Sequence, residues 1–127
     1  MADDDDKIRE LTSKALTRSG FIVDAVEDGA IAWGALQTDR YDLLVTDNEM
    51  PNLTGVGLLQ KLHAAHMTLP VILTTGNLPQ EELMRHPWLE IEAVLIKPYA
   101  FDDLFNLITN VLRVIHEGKN RHHLTTK

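Results

Sequence analysis

Ile8, Leu11, Ala15 and Leu16 recur at helical spacing, and Gly20 closes the run as a C′ residue does. This predicts a helix from Asp6 to Ser19. Phe21 to Val26 is rich in β-branched and aromatic residues and reads as a strand, followed by an Asp28-Gly29 turn. Ala32, Trp33 and Leu36 suit a second helix, weakened by Gly34. Leu43 to Thr46 is a continuous apolar run that ends in Asp47, the form taken by strands covered on both faces. Pro51 to Gly55 is a loop, and Leu58, Leu59, Leu62 and Ala65 mark a third helix. Val71 to Thr74 is another buried-type strand. Pro79 suits the first turn of a short fourth helix, with Glu81 and Glu82 near its positive end and Pro87 blocking its continuation. Ala93 to Ile96 is a strand. Phe101, Leu104, Phe105, Ile108, Val111, Leu112 and Ile115 give the strongest helical stripe in the chain. The pattern places one domain over residues 1–116 and a polar tail over residues 117–127.

A helix followed by four strand–helix units predicts an α/β fold, a parallel sheet with helices on both faces. Right-handed crossovers leave few topologies. Ligands of such sheets bind beyond the carboxyl ends of the strands.

Length and composition narrow this picture. The 127 residues fit one domain, and a 44% hydrophobic fraction supplies an ordinary core. The apolar runs fall short of the roughly 18 residues that cross a membrane. Met1 is followed by acidic residues instead of a basic signal region. The absence of cysteine excludes disulfides, thiol catalysis and zinc–thiolate sites. Together these suggest a cytoplasmic protein. The net charge of −7 argues against non-specific nucleic-acid binding.

The predicted strand ends collect a distinctive set of groups. One strand delivers Asp47, the next Thr74 and Thr75, and the last Lys97-Pro98. The acidic run Asp3 to Asp6 precedes the first helix, where the end of a first strand belongs. Carboxylates crowded on one rim repel, and a hard divalent cation relieves the repulsion. A lysine and a hydroxyl beside a metal-bound carboxylate suit a carboxylate that receives a phosphoryl group, with Asp47 as nucleophile.

Several segments, in this order, resemble the receiver domain of two-component response regulators. They are Asp3-Asp4 ahead of Ile8-Arg9, Tyr41 to Asp47, Met50-Pro51, Gly55, Pro70 to Gly76 and Lys97-Pro98-Tyr99. The resemblance covers residues 3 to 116. It implies a flavodoxin-like, doubly wound parallel sheet of order 2-1-3-4-5. It also implies phosphoryl transfer to Asp47, with Mg²⁺ or Mn²⁺, from a histidine kinase or histidine phosphotransfer protein. By position, Asp3 and Asp4 are the acidic pair, with Asp4 the more direct metal ligand. Asp47 would join them at the metal, as would the backbone carbonyl of Glu49. Thr75 and Lys97 would each bind a phosphoryl oxygen. The Lys97–Pro98 peptide is expected to be cis.

The chain departs from the family pattern at several points. Only Met1 and Ala2 precede Asp3, so the first strand is truncated or missing. Each buried aliphatic side chain contributes about 1.5–3 kcal/mol, so a gap in mid-sheet calls for compensation. Three compensations suit the gap: direct pairing of the flanking strands, exchange with another chain in a homodimer, or a natural chain that begins upstream. Val94 stands where the family usually has Tyr or Phe, a switch residue. His86 to Ile91 replaces the usual small residues before the last strand, Thr54 replaces a common Asp, and Ala100 stands at a cap position.

Competing readings attach to the same residues. Asp3 to Lys7 also spells a protease-recognition tag, and the aspartates also suit a solvated helix start. A degenerate receiver would serve as a phosphorylation-independent interaction module. A phosphatase of the haloacid dehalogenase kind commonly has a second Asp where this chain has Glu49, and no cap region is visible. His63 and His66 share a helical face without a carboxylate partner and suit solvent better than a metal. Trp33 and Trp88 read as packing residues.

Overall fold

A computed structural model describes residues 1–125, with side chains through Ile115. The helices are α1 (Asp6–Arg18), α2 (Gly29–Thr38), α3 (Gly55–Ala64), α4 (Gln80–Arg85) and α5 (Phe101–Thr125). The strands are β1 (Leu44–Asp47), β2 (Val71–Thr75) and β3 (Ala93–Ile96). All pairs are parallel, in the order β1-β2-β3, with Leu44 opposite Val71 and Ile72 opposite Ala93.

Continuous apolar runs became β1 and β2 because both faces of these strands are covered. Leu44 and Val71 pack with Ala32, Leu36, Leu58 and Leu62 from α2 and α3. Their neighbours Val45 and Ile72 turn to the other face, against Leu16 of α1 and Leu104 and Ile108 of α5. Alternation along each strand thus feeds two cores, the α/β doubly wound arrangement expected from the sequence.

The first strand is truncated, not lost. The Ala2 N–H donates to the Val45 carbonyl at 2.8 Å, and the Asp47 N–H donates to Ala2 at 2.9 Å. On the other side Val26 donates to Met1 and Asp3 donates to Val26. Ala2 therefore bridges Val26 and Thr46, parallel to both. This corrects two of the proposed compensations. The flanking segments do not pair with each other, and exchange with a second chain is not needed to span the gap, because residues 1–3 occupy it.

Of the expected order 2-1-3-4-5 with a truncated first strand, the regular sheet comprises three strands, extended by this bridge. Residues 21–25 form no strand, and Ile22 is fully exposed at 100%. Their β-propensity lacks a partner over most of its length, and propensity alone does not hold a strand. Pro79 caps α4 and does not lie in its first turn. The backbone of α5 stays helical through Thr125, beyond the apolar stripe and into the segment read as a polar tail. Gly20, at φ 101°, ends α1 in the left-handed conformation expected of a C′ residue.

Candidate functional site

Parallel strands of matched register end on one rim, which gathers the residues singled out in the sequence. Asp47 is the last residue of β1, Thr75 the last of β2, and Lys97 follows β3. The Lys97–Pro98 peptide is cis. The Lys97 ammonium donates to Asp47 Oδ2 at 2.9 Å and lies 3.4 Å from Asp3 Oδ2. Asp47 is 3% exposed, yet its Oδ1 has no hydrogen-bond partner among the described residues.

The four aspartates near the start divide between two tasks. Asp5 caps α1, accepting from the N–H groups of Lys7 and Ile8, and Asp6 pairs with Arg9 at 2.6 Å. Asp3 is buried and turned to the rim. Its Oδ1 accepts from the Asp5 N–H at 2.9 Å, and its carbonyl accepts from Arg9 Nη1 at 2.9 Å. Carboxylate oxygens of Asp3, exposed Asp4 and Asp47 lie within 4.8 Å of one another. The short bridge at Ala2 is enough to carry the acidic pair to Asp47.

This donor set fits a hard divalent ion, all oxygen and predominantly anionic. The buried, unpartnered Asp47 Oδ1 is a further sign, since an orphaned carboxylate oxygen is costly unless something binds it.

Charge is unevenly tolerated here. Burial pushes the Asp47 carboxyl up to about 6, against the pull of Lys97 and with a push from Glu49 and Asp3. Burial works against the Lys97 ammonium, but Asp47 and Asp3 outweigh it and raise its pKa. Burial also opposes the Glu49 carboxylate, and the Thr75 hydroxyl and Asp47 overcome this and lower it. Burial raises the Tyr99 phenol nearby.

Some supporting residues escaped the sequence reading. Asn48 is buried, and its Oδ1 accepts from the Val56 N–H at 3.0 Å, pinning the start of α3 under the rim. Gly55 donates to the Asn48 carbonyl, and a Cβ there would sit 2.6 Å from the Asp47 carbonyl oxygen. Thr54, noted only as a departure, caps α3 through the Gly57 N–H. Ala100 lacks a capping side chain, but Asp103 reaches back to its N–H at 3.3 Å. The carboxylate of Glu49, whose backbone carbonyl alone was singled out, accepts from the Thr75 hydroxyl at 2.6 Å. The hydroxyl–carboxylate contact has no sequence periodicity to reveal it.

The remaining candidates lie elsewhere. His63 and His66 line a 230 Å³ cavity near Val71, at the opening end of β2. Trp88 is half exposed and packs on His86, with ring centres 5.0 Å apart. Lys61 lies over Trp33. Val94 is exposed on β3.

Residues 1–109 match the response regulator receiver domain family. The chain belongs to this family. It is accordingly a phosphoacceptor module of two-component signalling, a class that works with histidine kinases or phosphotransfer proteins and generally holds Mg²⁺ in an acidic pocket. The probable transcriptional regulatory protein SilR of Salmonella typhimurium is 32% identical over 113 residues, covering 89% of this chain and 50% of SilR. The transcription factor SKN7 of Saccharomyces cerevisiae is also 32% identical over 113 residues, covering 89% of this chain and 18% of SKN7. The chain thus spans about half the length of SilR, and less of SKN7. Among solved structures, the receiver domain of the Francisella response regulator 1452 is 29% identical, with a TM-score of 0.76 over 87% of this chain and 91% of that one. Thermotoga maritima TrrA in complex with Mg²⁺–BeF is 26% identical, with a TM-score of 0.74 over 86% of this chain and 93% of that one. No helix among the described residues is long and apolar enough to cross a membrane.

Proposed function

We propose that Asp47 accepts the phosphoryl group, with Lys97 and Thr75 binding its oxygens. Asp3, Asp4, Asp47 and the Glu49 backbone carbonyl would hold Mg²⁺ or Mn²⁺. The donor is a histidine kinase or a histidine phosphotransfer protein, and the cytoplasmic location suggested by the sequence fits such a donor. The output is delivered through a partner protein. The observation that carries this reading is Asp47 itself. It is buried at a strand end, with one oxygen on Lys97 and the other without a partner, beside two more aspartates.

A carboxylate oxygen of Asp47 attacks phosphorus in line with the leaving group, and the donor's nitrogen or oxygen departs with the bonding electrons. Lys97 stays close enough to follow the charge onto the phosphoryl oxygens, and burial removes competing water. The divalent ion supplies charge neutralisation when bound. An interaction-only module draws on the shortened first strand, Val94 and the segment around Trp88, and the clustering of Asp3, Asp4 and Asp47 speaks against the first of these.

Intact-mass spectrometry after mixing with an acyl phosphate and Mg²⁺ tests the proposal. One phosphoryl group adds to the wild type, and none to Asp47→Asn. A folded wild type that gains no mass, or an Asp47→Asn variant that still gains it, overturns the assignment.

A further inference from the structure

The Thr75 hydroxyl has one proton and two acceptors in reach. Glu49 Oε1 lies at 2.6 Å and the Asn77 carbonyl at 2.7 Å, while the Asn77 N–H points back at 3.3 Å. Thr75 is fully buried at the end of β2, so water does not compete for that proton. Glu49 is an exposed residue on the loop after β1, and its carboxylate spans to the neighbouring strand. It stands outside the Asp3, Asp4 and Asp47 cluster. An ionised acceptor outcompetes a neutral carbonyl for a hydroxyl proton.

We infer that Glu49 is a positioning residue that latches the Thr75 hydroxyl in the unphosphorylated protein. The latch must open before Thr75 can serve the phosphoryl group. This rests on Asp47 as the acceptor and adds a control to that site. When an acyl phosphate is the donor, a bond forms between phosphorus and an Asp47 oxygen. The bond from phosphorus to the acyl oxygen breaks, and the carboxylate leaves with its electron pair. The transferred group brings three equatorial oxygens that need donors. A hydroxyl that donates to Glu49 cannot donate to them at the same time. The Glu49 carboxylate also repels the incoming anion. Both effects slow transfer while the latch is closed.

The test uses the whole chain, acetyl phosphate and saturating Mg²⁺. Transfer rates are read by intact mass for the wild type, Glu49→Gln and Glu49→Ala, each with Thr75 and with Thr75→Val. Both Glu49 variants keep the backbone carbonyl assigned to the metal. Glu49→Ala should accelerate transfer about fivefold, the factor that one net hydrogen bond represents. Glu49→Gln, a neutral acceptor, should give a smaller gain, and both gains should shrink in the Thr75→Val background, where only the relief of charge repulsion remains. Equal acceleration in that background would show that Glu49 acts by charge alone and would overturn the latch. A second readout needs no donor. The Thr75 hydroxyl proton should appear downfield and slowly exchanging by NMR in the wild type, and move in Glu49→Ala. An unmoved resonance overturns the latch. A wild type that takes up no phosphoryl group overturns the Asp47 assignment instead, and the resonance then decides the latch alone.

Discussion

The two sides of the sheet are built differently. Every residue of β1 and β2 is buried, between α2 and α3 on one face and α1 and α5 on the other. Along β3 burial only alternates between intermediate and exposed, and α4, six residues long, buries none of its side chains. Met84 on α4 is 79% exposed, and Ile96 on β3 is 48% exposed. The Asp47 side must hold several carboxylates close together, and that needs a scaffold whose packing outweighs their repulsion. On the β3–α4 side Ala93 and Leu95 still pack on the α5 core, but α4 buries nothing, and such sparsely packed helices open at low free energy. The rim crosses this boundary, since Lys97 comes from the loose side and contacts Asp47 on the tight one.

The strongest test of the contrast is truncation. Leu73 in β2 is fully buried, so Leu73→Ala should cost about 2–5 kcal/mol of unfolding free energy. Met84→Ala, at a largely exposed position, should stay within about 0.5 kcal/mol. Urea unfolding monitored by circular dichroism measures both. Comparable losses would mean that α4 is as firmly packed as β2, and the distinction would fall.

What the sequence revealed does not follow that boundary, since Ala93 to Ile96 on the loose side was read as a strand too. Leu43 to Thr46 and Val71 to Thr74 are legible because double burial leaves an unbroken apolar run. Once the strands were parallel, topology brought Asp47, Thr75 and Lys97 together without any further information. The pairing of Ala2 was not legible. A single bridging residue has no period, and its place depends on groups contributed by Val26 and Val45 from distant parts of the chain. Phe21 to Val26 misled for the converse reason, since strong β-propensity was overruled by the lack of a partner along most of the segment. Asn48 and the Glu49 side chain were invisible because a polar residue after a strand has many possible partners, and only the fold selects Val56 and Thr75.

Charge at the rim gives the next largest effect. Burial holds the Asp47 carboxyl at about 6, above its ordinary 3.8. A raised pKa means that the folded state binds the proton more tightly than the unfolded chain does. The associated stability is present below about pH 4 and is lost as pH rises through about 6. Asp47→Asn removes the titration. Its stability advantage over the wild type should grow across that window and level off above it. Melting temperatures across pH 4 to 8, taken without divalent ions, give the comparison. Adding Mg²⁺ should shrink the advantage by stabilising the wild type alone. A pH-independent difference would remove burial of the charge as its source.

The smallest effect concerns how the two sides begin their helices. On the tight side, α3 starts with two side-chain acceptors, Thr54 on the Gly57 N–H and Asn48 on the Val56 N–H, each at 3.0 Å. On the loose side, α4 starts at Pro79 with no side-chain cap. Thr54→Ala should therefore cost about 1 kcal/mol, with Asn48 still holding the first turn in place. Pro79→Ala has no cap to remove and should not show that loss. Hydrogen exchange at Gly57 locates the effect, since its amide loses its acceptor and should exchange faster while that of Val56 stays protected. If Val56 loses protection to the same degree, the two caps act as one unit, and the loop after Asp47 is held less independently than its separate bonds indicate.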